Sequence, residues 1–160
     1  MTLTLRDYLV PEAMNLGMDA ENAEEVIRNI SEKLLYAGFV RGTFTDAVLA
    51  REKDIPTGLP LSGRYNAAIP HTEVEHVVKS GIGLATLAHP VVFQNMVSPE
   101  ETVEVQLVFI LALDRPKSQI EMLQEIAQVL QRPGVVNALM EAKNLYQVHA
   151  ALQNKVAEKN

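Results

Sequence analysis

The sequence predicts an α/β sandwich whose mixed sheet, with parallel and antiparallel strands, is flanked by helices on both faces. Three observations predict it. The run VQLVFILAL at 105–113 is apolar at nearly every residue, as expected of a central strand covered on both sides. Amphipathic helical stretches stand before and after it, so both faces have candidates to cover them. Some links between strand-like segments are too short for a parallel crossover, which calls for antiparallel pairs as well.

The elements follow in order. From Asp19, a plausible cap, Ala23, Val26, Ile27, Ile30 and Leu34 recur at helical spacing until Gly38 stops the helix. A second helix begins at Thr43, whose spacing to Asp46 resembles a capping box, and ends before Pro56. Two prolines and two glycines make PTGLPLSGRYN, 56–66, a loop. Strands are expected at NAAIP (66–70), GIGLATL (81–87) and VQLVFILAL. After Pro116 the spacing turns helical again, with Ile120, Leu123, Ala127 and Leu130 on one face, until Pro133 and Gly134 break it. Val135 to Ala142 and Asn144 to about Val156 complete the set, the last with Leu145, Val148, Leu152 and Val156 inward. A chain of 160 residues with no internal repeat or low-complexity tract reads as a single domain over 1–160. Its length suffices to bury roughly 70% of the unfolded surface.

Composition narrows the chemistry. There is no cysteine, which excludes disulfides, thiolate metal sites and a cysteine nucleophile. The formal charge is −6 and the basic residues are scattered, so no nucleic-acid backbone is expected as partner. The start lacks a basic region followed by an apolar core, and LVFILAL is far too short to span a bilayer. A cytoplasmic protein is expected.

His71, in AIPHTEVEH, stands where a strand ends, on a turn stiffened by Pro70 and followed by Thr72, Glu73 and Glu75, which suit the first turn of a helix. Open α/β sheets place ligands at such strand ends, and an anion there would meet unpaired N–H groups at the helix start. Position alone is met as well by a histidine that merely caps the helix. Arg51 is the second unusual residue, because Phe44, Ala47 and Val48 predict that position 51 continues a buried stripe. A charge on the core side must be paired or face a polar pocket, and the guanidinium fork suits phosphate. An arginine favoured by the helix dipole, or paired with a local carboxylate, satisfies the same position.

Other chemistries fit less well. HTEVEH resembles a zinc-protease helix, but His71 and His76 are five apart and point roughly 140° away from each other on a helix. His89, in LAHPVV, would complete a metal site only through an unforeseen fold contact. Ser62 and Ser98 lack a nucleophile elbow, and Gly58 and Gly63 lack phosphate-loop spacing. His76 and His149 carry no signal beyond their places on helical stretches.

Taken together, AVLAREKDIPTG, AAIPHTE, VQLVFILAL and KSQIEMLQEIAQVL resemble the IIA component of the sugar phosphotransferase system, mannitol and fructose type. The match spans roughly 20–152. The wording RE-x-x-x-PTG-L and KSQIEML is most similar to the galactitol branch. The resemblance implies a phosphotransferase component that needs no metal or cofactor. In it His71 takes a phosphoryl group from phospho-HPr and passes it to a IIB partner, a cysteine protein in the galactitol branch, with Arg51 stabilising the phosphate. A membrane IIC protein would select the sugar and be met only indirectly. Family members usually carry a second histidine where this chain has Gln119, which can donate a hydrogen bond but bears no charge. Further site candidates are Glu75, as a possible orienter of the His71 ring, and His89, as a possible extra charge. The alternative within the same scaffold is a nitrogen-type regulatory phosphoprotein, whose partner affinity is switched by phosphorylation of His71.

Overall fold

A computed structural model of the chain describes residues 4–153. Five strands form one mixed sheet in the order β1-β4-β5-β3-β2. They are β1 (Leu9–Met18), β2 (Gly58–Leu59), β3 (Ala67–Ala68), β4 (Gly81–Gln94) and β5 (Thr102–Ala112). β1 runs parallel to β4 and β3 parallel to β5, while β4 with β5, and β2 with β3, are antiparallel. Around them lie α1 (Leu5–Tyr8), α2 (Ala23–Tyr36), α3 (Phe44–Asp54), α4 (Pro116–Leu130), α5 (Pro133–Glu141) and α6 (Leu145–Gln153). Among the described residues no helix is long and apolar enough to cross a membrane.

β5 shows why its sequence is apolar throughout. Leu107, Phe109 and Leu111 enter a core built with α1, α4, α5 and α6, whereas Val108, Ile110 and Ala112 enter a second core built with α2 and α3. The period-2 alternation of a strand thus feeds two hydrophobic layers at once. The sandwich with helices on both faces is the architecture expected from the sequence.

Several boundaries differ, each for a local reason. α2 starts at Ala23, because Asn22 and not Asp19 caps it, Asn22 Oδ1 accepting the Glu25 N–H at 2.9 Å. It ends as expected at Gly38 (φ 89°). There the Phe39 N–H reaches the Leu34 carbonyl and the Gly38 N–H the Leu35 carbonyl, the paired bonds of a left-handed helix stop. β1 was not expected: Pro11 and two register shifts interrupt its alternation, as edge strands tolerate. β4 runs on to Gln94 through a register shift between Thr86 and Val91, where His89-Pro90 breaks the apolar pattern. The stretch expected as a loop at 56–66 contains the two residues of β2.

On α4 the inward face is Met122, Ile126, Val129 and Leu130, while Ile120 is 58% exposed and Ala127 also faces solvent. Two apolar stripes compete on this helix, and packing in the α1, α5 and α6 layer selects the one that contains Met122. Pro133 and Gly134 not only end α4 but open α5, with Pro133 in its first turn. Asn144 caps α6, its Oδ1 accepting the Gln147 N–H at 2.9 Å. Val156 lies outside the described residues.

At Gly83 on β4 α2 packs tightly on the sheet, since a methyl group there would overlap the Cγ2 of fully buried Ile30. Gly83→Ala is expected to cost about 1–3 kcal/mol through overpacking, read as a lower urea midpoint with an unchanged m-value.

Candidate functional site

The sheet topology brings three chain segments to one end. Beyond β3 the chain continues through Ile69 and Pro70, and His71 forms a parallel bridge with Leu111 near the carboxyl end of β5, the Leu111 N–H donating to the Pro70 carbonyl at 3.1 Å. α4 departs from that same end of β5. α3 supplies the third segment through Arg51 in its last turn.

His71 is 8% exposed. Its Nδ1 lies 2.9 Å from the Ile69 carbonyl oxygen, and because a carbonyl only accepts, Nδ1 carries the proton. Nε2 then holds the free lone pair. It makes no hydrogen bond within the described residues, yet it is not among their enclosed, unpartnered polar atoms, so it faces outward. Burial holds the imidazole pKa below its ordinary 6.5; the hydrogen bond to Ile69 works the other way, Arg51 lowers it further, and Glu73 raises it. At neutral pH the ring is therefore an uncharged nucleophile.

Arg51 Nη1 is 2.7 Å from Glu73 Oε2, with the side chains 29% and 56% exposed. Sequence reasoning treated Glu73 only as a helix-start residue. It is instead the partner of the site's cation. Its other oxygen accepts the Thr72 hydroxyl at 3.1 Å, and that hydrogen bond leads the causes that hold its pKa below the usual carboxylate range. Arg51 Nε is buried with no partner. Gln119, on the first turn of α4, has a buried Oε1 that is also unpartnered. Rotating that amide by 180° presents Nε2, a donor, in the same place. Such orphaned polar atoms call for an explanation in a packed protein, and two of them belong to residues that the sequence singles out.

The remaining candidates fall elsewhere. Glu75 does not orient the ring: its carboxylate lies 4.0 Å from His76 Nε2, and the acceptor at Nδ1 is the Ile69 carbonyl. His89 is exposed on β4. Leu111 pairs with His71 on one side and Ile82 on the other, so His89 stands on the order of 20 Å further along the strand at ~3.3 Å per residue. The helix expected after His71 is a single 3₁₀ turn, Val74–His76. The reason lies in the neighbouring segment. Phe39 O accepts from the Val78 and Lys79 N–H groups, the Arg41 N–H donates to His76 O, and Val40 bridges Val77, so the backbone here is committed to extended pairing. No helix start backs the histidine. His76 instead ties this turn to α3, its Nδ1 lying 2.8 Å from Thr43 Oγ1. Among the described residues no group of three or more potential ligands is placed to hold a metal ion.

An uncharged imidazole with one nitrogen fixed and the other facing out, beside an arginine, is the equipment of a phosphoryl carrier. Residues 7–155 match the family model described as "Phosphoenolpyruvate-dependent sugar phosphotransferase system, EIIA 2". The galactitol-specific EIIA component of Escherichia coli K12 is 33% identical over 124 residues, covering 78% of this chain and 81% of that protein. The crystal structure of IIA mannitol from Escherichia coli superposes with a TM-score of 0.75 at 29% identity, covering 90% of this chain and 98% of the other. A complex of enzyme IIA mannitol with phosphorylated enzyme IIB mannitol, also from Escherichia coli, gives 0.74 at 28% identity over 92% and 98% of the two chains. The chain belongs to the EIIA type-2 family of the phosphoenolpyruvate-dependent sugar phosphotransferase system. It is a phosphotransferase component that carries a phosphoryl group on a histidine.

The lowered His71 pKa has a definite sign. Between the folded-state value and 6.5 the unfolded chain binds more protons at this position, so its contribution to stability is lost as pH falls through that window and is constant above it. Glu52, raised by burial from 4.5 to about 7, acts in the opposite sense: its contribution is complete below 4.5 and is lost as pH rises through about 7. The two are separable by difference. The stability gap between wild type and His71→Gln should change across the acidic window, and NMR titration of the His71 ring should give a midpoint below 6.5.

Proposed function

We propose that His71 Nε2 accepts a phosphoryl group from phosphorylated HPr in the cytoplasm and yields it to a IIB protein, through a cysteine of that partner, during galactitol uptake. One observation carries the assignment to His71: Nδ1 is committed to the Ile69 carbonyl while Nε2 is unbonded and faces outward. The Nε2 lone pair attacks phosphorus in line as the bond from phosphorus to the donor breaks. The phosphorylated ring keeps the Nδ1 proton and so carries positive charge, which the Ile69 carbonyl oxygen stabilises. In the second step the acceptor thiolate attacks phosphorus, the P–N bond breaks, and neutral imidazole is restored with its proton still on Nδ1. No proton needs to leave the ring at either step. Phosphoryl transfer asks the protein mainly for positioning and charge stabilisation, and Arg51 and the Gln119 amide are the groups proposed to meet the phosphoryl oxygens. The galactitol assignment leans on the 33% identical relative and on Gln119 in place of a second histidine.

Incubation with enzyme I, HPr and labelled phosphoenolpyruvate should label wild type with an acid-labile, base-stable group and leave His71→Ala unlabelled; label on the variant would remove His71 from the chemistry. Arg51→Ala should fold yet accept phosphate at least about tenfold more slowly, as expected for loss of a charge-assisted contact. Wild-type rates would take Arg51 out of the site.

Glu73 makes a different prediction, because it occupies the Arg51 fork before any phosphate arrives. An exposed pair of this kind is worth roughly 0.2–1 kcal/mol. Glu73→Gln should therefore speed acceptance up to about fivefold and lengthen the lifetime of the phosphohistidine, both measurable with the same label.

A further inference from the structure

The reaction at His71 makes no direct use of Glu52, yet Glu52 is bonded into the frame that holds the ring. It follows Arg51 on α3, and both of its carboxylate oxygens are taken by one residue. Oε2 accepts the Thr57 backbone N–H and Oε1 accepts the Thr57 hydroxyl, each at 2.8 Å. With its proton given to Glu52, the Thr57 oxygen can only accept on its other side, and there it receives the Ile69 N–H at 3.2 Å. The Ile69 carbonyl is the group that holds His71 Nδ1 at 2.9 Å.

The register explains why a side chain is needed at this point. β2 and β3 pair antiparallel as Gly58 with Ala68 and Leu59 with Ala67, so the next position opposite Ile69 is Thr57, and it is the threonine hydroxyl that receives the Ile69 N–H. Thr57 itself is 2% exposed. Ile69 is thereby gripped at its N–H and grips the imidazole through its C=O.

We propose that Glu52 is a positioning residue for the His71 reaction, clamping Thr57 so that Ile69 keeps the imidazole in the Nδ1–H form with Nε2 outward and at a set spacing from Arg51. The inference rests on the reading of His71 as the phosphoryl acceptor. A carboxylate suits the place better than an amide. It accepts from both Thr57 donors and leaves the hydroxyl lone pairs to Ile69, whereas a glutamine would bring a donor that competes with the Ile69 N–H for the same oxygen. The place is also costly. Burial pushes the Glu52 carboxyl up to about 7, although both bonds from Thr57 pull it down, and a carboxylate held against such a penalty is more characteristic of a working site than of a scaffold. Because Glu52 and Arg51 are consecutive on α3, one clamp sets both the acceptor of the ring and the approach of the cation.

The test uses the full chain at pH 8, where Glu52 is ionised, with Thr57→Val, Thr57→Ser and Glu52→Gln. Nitrogen-15 NMR of the His71 ring reads the tautomer, labelled phosphate from phospho-HPr reads the acceptance rate, and thermal melts read stability. Thr57→Val and Glu52→Gln are expected to mix the two tautomers and slow acceptance at least tenfold well below their melting temperatures. Thr57→Ser, which keeps the hydroxyl, should restore both to within about twofold of wild type. A wild-type ring pattern and rate in Thr57→Val, with only the melting temperature lowered, would overturn the proposal. Should Thr57→Val fail to fold, the same wild-type behaviour in Glu52→Gln would overturn it. If wild type itself took no label, the acceptor reading of His71 would fall, while the tautomer measurement would still decide whether Glu52 and Thr57 set the ring.

Discussion

The contact on which the proposed chemistry depends is the one between His71 Nδ1 and the Ile69 carbonyl. A neutral imidazole has two nitrogens and one mobile proton, and in water both tautomers exist. A carbonyl acceptor two residues upstream removes that freedom, because only the Nδ1–H form can donate to it. The consequence is directional: the lone pair always lies on Nε2, the nitrogen left unbonded at the carboxyl end of the strands. Burial adds to this by disfavouring the charged ring, so the imidazole is uncharged at neutral pH and the proposed attack needs no general base to prepare it.

The fold exists, from this point of view, to keep a two-residue stretch still. Ile69 and Pro70 would be an ordinary strand exit were they not pinned from three sides. Leu111 of the central strand bonds the Pro70 carbonyl, Thr57 bonds the Ile69 N–H, and Pro70 restricts its own φ. Leu111 is in turn immobile, being fully buried in one of the two cores. An apolar central strand is thus not only the stabilising heart of the sandwich but the rigid edge against which the histidine is aligned. Active groups supported by packed strands hold their geometry better than groups on free loops, and here the support is two hydrogen bonds long.

How much of this was legible in the sequence varied with the kind of signal. β5 was readable because it is apolar at nearly every residue and α2 because its apolar residues recur at helical spacing, and the two cores then enforce both patterns. α4 was readable as a helix but not in its orientation, because Ile120 and Ala127 belong to a second stripe that only the neighbouring helices can reject. β1 was invisible, since Pro11 and the register shifts erase the alternation that marks a strand. At the site, His71 and Arg51 were visible as anomalies: a histidine at a strand exit and a charge on an inward stripe. Their partners were not. The Ile69 acceptor is a backbone group and carries no residue signature. Glu73 looked like a helix-start acid because the helix it would have opened was expected, and the competing pairing of residues 76–79 with 39–41 cannot be seen locally. Glu52 was in view only as the letter after Arg51.

The charges around His71 also show how a carrier can differ from a binder. A group that must be received and then surrendered cannot be held by a strong cationic cluster, since an interaction that favours the bound phosphoryl more than the transition state raises the barrier to its departure. One guanidinium, that of Arg51, acts on the ring and is already engaged by Glu73, and the position proposed to assist it is an uncharged amide, Gln119. In the proposed cycle an arriving phosphoryl group displaces the Glu73 carboxylate from Arg51, and a departing one is replaced by it. The exchange offsets part of the gain, because one anion substitutes for another at the same fork. In that proposed cycle the positive charge that phosphorylation places on the ring, opposed by burial and relieved when the P–N bond breaks, favours onward transfer. Such an offset narrows the gap between the loaded and empty states, which is the energetic condition for passing a group from one protein to the next.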